Sequence, residues 1–146
     1  MVQPAISGWR DGWYVVPIEV SWRDLDAIGH VNNAVYFSYF EWARTKYWFD
    51  FTGRRGTRNL DFIVAHAECD FRRELTLAEQ IEACVRIGEI RNSSFDFENE
   101  IRVRDGGEVA ATGKVTAVLY SWQRNEKMRF TEEMREKIRT FQQKSS

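Results

Sequence analysis

Residues 34–51, AVYFSYFEWARTKYWFDF, decide the fold. This stretch has neither glycine nor proline, and its apolar side chains recur at steps of three and four, which predicts an α-helix. The apolar side chains cover much more than one stripe, so we expect the helix to be largely buried. Asn32 or Asn33 is a natural N-cap, and Gly53 is a natural end.

Strand patterns flank the predicted helix on both sides. Before it, residues 14–22 are rich in β-branched and aromatic side chains, and Ile18, Val20 and Trp22 alternate with polar positions. After it, four segments show the two-residue alternation of half-buried strands. These segments are residues 60–71, 81–87, 95–103 and 109–120.

The sequence also predicts the faces of two strands, a hairpin and a terminal helix. The alternation in the first one places Ile63, Ala65, Ala67, Cys69 and Phe71 on one face, and in the second it places Cys84 on the polar face. The sequence Asp-Gly-Gly at 105–107 predicts a hairpin. Residues 131–141 have apolar side chains at helical spacing, which predicts a short terminal helix capped by Thr131.

The order of elements predicts the architecture. A strand, a long apolar helix, about four strands and a terminal helix follow one another. One sheet can bury the central helix only by curling around it, so we expect an α+β fold with an antiparallel β-sheet wrapped around a long central α-helix. No linker or shift of composition divides residues 1–146, which predicts a single domain.

Composition excludes several classes of protein. With 21 basic and 22 acidic side chains the net charge is close to zero, which argues against a nucleic-acid-binding protein. The two cysteines form no C-x-x-C pattern, so we expect neither a disulfide scaffold nor a cysteine zinc site, and we expect a cytoplasmic location. No apolar run is long enough to span a membrane, and the amino terminus lacks a secretory pattern.

Residues 23–33, RDLDAIGHVNN, carry the side chains best suited to chemistry. They place carboxylates, an imidazole and two carboxamides between a predicted strand and the start of a buried helix. A helix start offers unpaired N–H groups and a partial positive charge, which suit an oxygen that becomes negative during acyl transfer. A nearby carboxylate can attack the carbonyl carbon or take a proton from a water molecule.

The same stretch resembles the signature of the hotdog-fold acyl-CoA thioesterases, the 4-hydroxybenzoyl-CoA thioesterase-like group. The resemblance implies the hotdog fold and hydrolysis of an acyl-CoA thioester to the free acid and coenzyme A. It implies no metal and no redox cofactor, and it implies a homodimer or homotetramer with the site between two subunits. The matching positions are Asp26, Gly29, His30, Val31, Asn32, Asn33, Tyr36, Tyr39, Glu41 and Arg44.

The resemblance also implies roles for individual residues. Asp26 matches the aspartate that these thioesterases use as nucleophile or general base. Asn33 falls where the family's helix begins, so its backbone N–H is the expected donor to the thioester carbonyl. His30 and Asn32 match polar residues of the branch that includes acyl-carrier-protein thioesterases, and the resemblance implies an assisting role for the histidine. Glu41 is a reserve candidate, because some hotdog thioesterases place their acid on this helix.

Six further positions are candidates for binding the substrate. Three are arginines at predicted strand ends or turns, where phosphates of coenzyme A can be bound. Two are serines at the start of a predicted strand, where family members often carry small hydroxyl residues, and the sixth is a tyrosine of the signature. In chain order they are Tyr36, Arg72, Arg73, Arg91, Ser93 and Ser94.

Other interpretations of these residues stay open. Asp26 and Asn32 can serve only to order the loop or cap the helix, and Glu41 with Arg44 can form an ion pair on the helix surface. A non-catalytic acyl-CoA-binding protein is the alternative function. A hotdog dehydratase is a weaker one, because those enzymes carry a His-Phe-Pro-Gly type of loop. Residues 71–79 lack the proline and glycine usual in the family.

Overall fold

The computed structural model describes residues 6–104 and 107–145. The elements run in the order strand, strand, helix, four long strands, one short strand and helix. They are β1 (Gly8–Arg10), β2 (Trp13–Glu19), α1 (Asn33–Thr52), β3 (Phe62–Phe71), β4 (Gln80–Ile90), β5 (Ser94–Val103), β6 (Val109–Ser121), β7 (Glu126–Lys127) and α2 (Glu132–Gln142).

The strands form one antiparallel sheet in the order β1-β2-β4-β5-β6-β3, with β7 paired to β6. Helix α1 packs against β2, β3, β4 and β5, which confirms a sheet wrapped around the central helix. The expected meander holds for β4, β5 and β6. Strand β3 lies beyond β6, so it forms one edge of the sheet.

Aromatic packing seats α1 on the sheet. Phe40, Tyr47 and Trp48 are fully buried, and the Trp48 ring stacks on Phe95 with centroids 5.8 Å apart. Burial of each such side chain stabilises the fold by roughly 2–3 kcal/mol. Phe40 lies directly over Gly113 of β6, where the sheet has no side chain to hold the helix away. The helix is therefore fixed in position along most of its length.

The helix ends follow the sequence signals. The Asn32 side chain accepts a hydrogen bond from the Ala34 N–H at 2.9 Å, and Gly53 ends α1 with a left-handed φ of 72°. Thr131 caps α2 by accepting from the Met134 N–H at 3.1 Å. Both predicted helices are confirmed. Within the described residues, neither is long and apolar enough to cross a membrane.

The first strand ends earlier than the sequence pattern predicts. Strand β2 ends at Glu19, and Trp22 begins a short 3-10 helix with its side chain 77% exposed. The Asp24 carboxylate accepts a hydrogen bond from the Ser21 N–H at 3.0 Å, which turns the chain away from the sheet. Periodicity could not show this, because the turn depends on one side-chain hydrogen bond.

A bulge changes the predicted faces of β3. The register shifts between Val64 and His66. Before this bulge Val64 pairs with a buried residue of β6, and after it Ala67 and Phe71 do so. Val64 therefore lies on the inner face, where Ile63 was expected. Val64 and Phe71 remain about half exposed.

The outer face of the sheet is less polar than its sequence indicates. Cys84, expected on the polar face, is fully buried beside Trp13 and Val15. The Arg86 guanidinium lies 4.0 Å from the centroid of the Trp13 ring and covers this small cluster. The predicted hairpin at 105–107 includes two residues, 105 and 106, that lie outside the described part of the chain.

The close contact between α1 and β6 predicts that a methyl group added at Gly113 destabilises the fold. A Cβ at Gly113 would lie 2.6 Å from the Glu68 carbonyl oxygen and even closer to the Phe40 ring. We expect Gly113→Ala to lower the free energy of unfolding by about 2 kcal/mol, measured by urea denaturation. Gly8→Ala is the control, since nothing lies within 4 Å of its added methyl. Equal stability of the two variants would contradict this packing.

Candidate active site

Backbone hydrogen bonds fasten the chain that leaves β2. The Val20 N–H donates to the Glu79 carbonyl and the Ala78 N–H donates to the Val20 carbonyl, both at 3.0 Å. Leu25 and Val31 then pair across an isolated bridge, which closes a loop of residues 25–31 that we call the aspartate loop. The Val31 N–H donates to the Leu75 carbonyl at 2.9 Å. The aspartate loop is thus tied to the connection between β3 and β4.

Asp26 is held by the backbone of its own loop. Its Oδ1 accepts hydrogen bonds from the N–H groups of Ile28 at 3.0 Å and His30 at 3.3 Å. Its own N–H donates to the His30 carbonyl at 2.8 Å, and Gly29 completes the turn with a φ of 86°. These bonds are the loop-ordering role left open above. They leave Oδ2 without a hydrogen-bond partner in the described part of the chain.

The start of α1 presents a free amide beside this loop. Asn33 is the first residue of the helix, and the N-cap side chain of Asn32 takes the N–H of Ala34 instead. The Val35 N–H donates to the Asn32 carbonyl at 2.8 Å. Among the described residues nothing accepts from the Asn33 N–H. This donor and the positive end of the helix dipole can stabilise an anionic oxygen.

A cavity of about 450 Å³ lies between the aspartate loop, the first turn of α1 and the end of β3. It is walled in part by Phe71 and Glu74. Among the sequence-predicted site residues it brings together Asp26, His30, Asn32, Asn33, Tyr36, Arg72 and Arg73. A larger cavity, about 870 Å³, lies between the end of α1 and α2 and contains none of the predicted residues.

Three predicted binding residues lie at the opposite end of the sheet from the cavity. Ser94 pairs with Val118 of β6, which pairs with Ile63 near the start of β3, whereas the cavity lies at the end of β3. That separation is about 25 Å along the strand. Ser93 and Arg91 belong to the same turn, so within one chain these three residues stay outside the cavity.

Glu41, the reserve candidate, also lies outside the cavity. It is eight residues beyond Asn33, which is about 12 Å along a helix. Its side chain is 70% exposed, and Arg44 approaches it at 3.7 Å. The Arg44 side chain is buried, and this burial lowers the pKa of its guanidinium. The geometry corresponds to the surface ion pair considered above.

Two tyrosines of the signature hold the site together. Tyr36 is buried at the cavity wall, and its hydroxyl donates to the Arg73 carbonyl at 3.2 Å. Burial raises the pKa of Tyr36, so it stays protonated. Tyr39 donates to the Asp24 carboxylate at 2.8 Å, and burial together with this bond raises its pKa. Asp24 is therefore committed to structure, whereas Asp26 faces the cavity.

The structure adds residues that sequence reasoning missed. Glu74 lies 3.3 Å from Nε2 of His30, whose Nδ1 is buried without a partner among the described residues. Arg73 is neutralised by Glu79 at 2.9 Å and Glu108 at 3.1 Å. The pairs of His30 with Glu74 and of Arg73 with Glu108 join different loops, so no local pattern signals them, whereas Arg73 and Glu79 lie in the one connection between β3 and β4.

Comparison with known proteins places the chain in a family. Residues 20–138 match the family model described as the thioesterase-like superfamily. The chain belongs to this superfamily. A thioesterase from Thermus thermophilus, solved with coenzyme A and Zn, is 34% identical, with a TM-score of 0.73 over 86% of this chain and 96% of that chain.

A solved structure and a curated relative resemble the chain at lower identity. A 1,4-dihydroxy-2-naphthoyl-CoA thioesterase from Synechocystis is 17% identical, with a TM-score of 0.72 over 86% of this chain and 95% of that chain. The uncharacterized protein YsmA of Bacillus subtilis is 26% identical over 83% of this chain and 82% of its own length. The hotdog fold and the assignment to thioester hydrolases are thereby confirmed.

The connection between β3 and β4, to which the aspartate loop is tied, contains a strained residue. Ala78, between β3 and β4, has a φ of 64°, a left-handed conformation that glycine adopts without cost. Removing its methyl group by Ala78→Gly should raise the free energy of unfolding by about 1 kcal/mol in urea denaturation. Ala27→Gly, at an exposed loop residue without positive φ, should lower it slightly because the unfolded chain gains freedom. Destabilisation by both changes would show that Ala78 is not strained.

Proposed function

We propose that this superfamily member is an acyl-CoA thioesterase, a single hotdog domain that hydrolyses an acyl-CoA thioester to the free acid and coenzyme A. The observation that carries the proposal is the pairing of two groups in one cavity. The Asp26 carboxylate has one oxygen without a partner among the described residues, and the Asn33 amide is a free donor at the start of a buried helix. Together they can activate a nucleophile and stabilise an oxyanion.

The chemistry follows from these two positions. With Asp26 as general base, its carboxylate takes a proton from water while the water oxygen bonds to the carbonyl carbon. With Asp26 as nucleophile, the carboxylate bonds to that carbon, and departure of the thiolate leaves an anhydride that water then hydrolyses. In both routes the carbonyl oxygen becomes negative beside the Asn33 N–H. The C–S bond then breaks, and the thiolate of coenzyme A leaves and takes up a proton.

Cysteine chemistry is a poor competitor for this role. Cys69 and Cys84 are free, and burial raises the pKa of their thiols to about 11 and about 12. Neither forms much thiolate near neutral pH, so neither suits a nucleophile. Free thiols also fit the cytoplasm, where we place this protein.

Coenzyme A as the leaving group is supported by the relative from Thermus thermophilus, which was solved with coenzyme A. In this chain Arg72 is exposed at the cavity, and no carboxylate among the described residues pairs with it. Its guanidinium can therefore approach a phosphate or the polar pantetheine arm. His30 and Asn32 order the loop and the helix cap around the reacting carbonyl.

The exposed edge of β3 supports a homodimer. This ten-residue strand has β6 as its single neighbour among the described strands, and Val64 and Phe71 leave apolar surface open beside its free edge. Long edges of this kind pair with another chain. Two-fold antiparallel pairing of β3 with its copy brings the start of one β3 beside the end of the other. The turn holding Arg91, Ser93 and Ser94 then comes to the same end as the partner's cavity.

The carboxylate of Asp26 has a direct test. We expect Asp26→Asn to lower kcat for an acyl-CoA about a thousandfold, because the amide can neither take a proton nor attack the carbonyl. Thiol release is followed with a chromogenic thiol reagent. Glu41→Gln is the matched control and should retain activity, because Glu41 lies outside the cavity.

The outcomes separate the open alternatives. Full activity of Asp26→Asn together with loss of activity in Glu41→Gln would identify Glu41, on the helix, as the catalytic acid residue. Binding of acyl-CoA without any thiol release by the unmodified protein would favour the non-catalytic binding function. Hydration of an enoyl-CoA without thiol release would favour a dehydratase.

The Asn33 amide can be removed without removing the helix. Proline is tolerated at the first helical residue, and Asn32 has a ψ of 135°, which suits a residue before proline. We expect Asn33→Pro to keep the circular dichroism spectrum and lower kcat about a hundredfold, because the N–H donor is lost. Asn33→Ala retains the N–H and should keep most of the activity. A fully active proline variant would rule out this amide as the donor.

A further inference from the structure

Two of the three arginines expected to bind phosphates are already neutralised. Arg73 pairs with Glu79 and Glu108, and Arg91 makes a two-pronged contact with Asp96 at 2.7 and 3.1 Å. Both are therefore poor partners for a further anion. If the ligand is an acyl-CoA, as proposed above, its nucleotide end carries several phosphate charges. Arg72, the third arginine, supplies a single positive charge beside the thioester, so further cations must bind the phosphates.

The connection between α1 and β3 supplies such cations. Residues 53–58 read GRRGTR, and no acidic residue occurs between Asp50 and Asp61. We call residues 53–58 the arginine loop. Arg54 pairs with Asp61 at 2.7 Å, whereas Arg55 and Arg58 are exposed and have no carboxylate partner among the described residues. Other stretches of similar basic content, such as residues 135–139, include an acidic residue.

An aromatic side chain lies beside the arginine loop. The Trp122 indole N–H donates to the Leu60 carbonyl at 2.6 Å, and its ring meets Tyr120 edge to face with centroids 4.8 Å apart. These contacts fix the ring and leave the residue 41% exposed. A cavity of about 430 Å³ lies between Trp122, Arg58 and Asn59. A rigid indole face beside the unpaired Arg58 guanidinium suits a nucleotide.

We propose that the arginine loop and Trp122 bind the phosphorylated adenosine diphosphate end of the acyl-CoA. Guanidinium groups bind phosphate oxygens in pairs of parallel hydrogen bonds, and an indole face stacks on a purine base. This inference rests on the proposed function, because it assigns the other end of the same ligand. The Asn59 side chain donates to the Arg55 carbonyl at 2.5 Å, which orders the loop before any ligand arrives.

The arginine loop serves the site of the partner subunit. It comes just before β3, whereas the cavity with Asp26 lies at the end of β3, so one chain holds these features at opposite ends of the strand. Antiparallel pairing of two β3 strands, which lie about 5 Å apart in a sheet, brings one loop beside the other chain's cavity. Each ligand therefore spans the dimer: the thioester is on one chain and the nucleotide is on the other.

The first experiment compares two thioesters of the same acid in the full-length protein. We expect Arg55→Gln/Arg58→Gln to raise KM for the acyl-CoA at least about tenfold, with unchanged kcat/KM for the acyl N-acetylcysteamine thioester, which lacks the nucleotide. Trp122→Ala should act in the same direction. Lys46→Gln/Lys114→Gln removes the same charge elsewhere and should leave both substrates unaffected.

The second experiment mixes two variants. Subunits carrying Asp26→Asn are unfolded and refolded together with subunits carrying Arg55→Gln/Arg58→Gln. In a mixed dimer one site combines an intact Asp26 with an intact arginine loop. We expect about a quarter of the unmodified activity at low acyl-CoA, because half of the dimers are mixed and each has one intact site. Activity no higher than the mean of the two parents would overturn the assignment of the loop to the partner's site.

Failure of this inference differs from failure of the proposed function. Equal loss for both thioesters, or no loss for either, would overturn the nucleotide site while leaving the hydrolase in place. If the unmodified protein hydrolyses neither thioester, the nucleotide site is tested by measuring the binding of adenosine 3′,5′-bisphosphate by calorimetry. A dissociation constant that rises at least about tenfold in the arginine variant, but not in the lysine control, supports the site. Equal binding by both variants overturns it.

Discussion

The burial of α1 against the curved sheet is the constraint on which the site depends. Phe40, Tyr47 and Trp48 are completely enclosed, and the contact of Phe40 with Gly113 leaves no room for the helix to shift. A helix fixed in this way presents its first amides at one place. The Asn33 N–H is therefore held at the cavity, and the oxyanion of the proposed reaction would need no reorganisation of this donor.

The aspartate loop meets this amide because other backbone bonds hold it. Its end is fastened to the Leu75 carbonyl, and the carboxylate of Asp26 is oriented by the N–H groups of Ile28 and His30. The bonds that order the loop also aim the second carboxylate oxygen. The structural role of Asp26 is therefore compatible with the catalytic role that we propose for it.

Local patterns in the sequence were enough to predict the helix, its caps and the residues of the aspartate loop, because neighbours along the chain determine them. The bulge in β3, the position of that strand beyond β6 and the neutralised Arg73 depend on pairing between distant segments, which periodicity does not encode. Trp22 followed the alternation of a strand but lies in a turn made by Asp24. The separation of Ser94 from the cavity likewise became visible only through the strand register.

The most direct test of the account is a crystal structure with an acyl-CoA analogue whose thioester sulfur is replaced by a methylene group. This ketone keeps the carbonyl and cannot be hydrolysed. The account predicts the carbonyl oxygen about 3 Å from the Asn33 nitrogen, with Asp26 on the opposite side of the carbonyl carbon. A carbonyl bound elsewhere, for example in the larger cavity between α1 and α2, would contradict it.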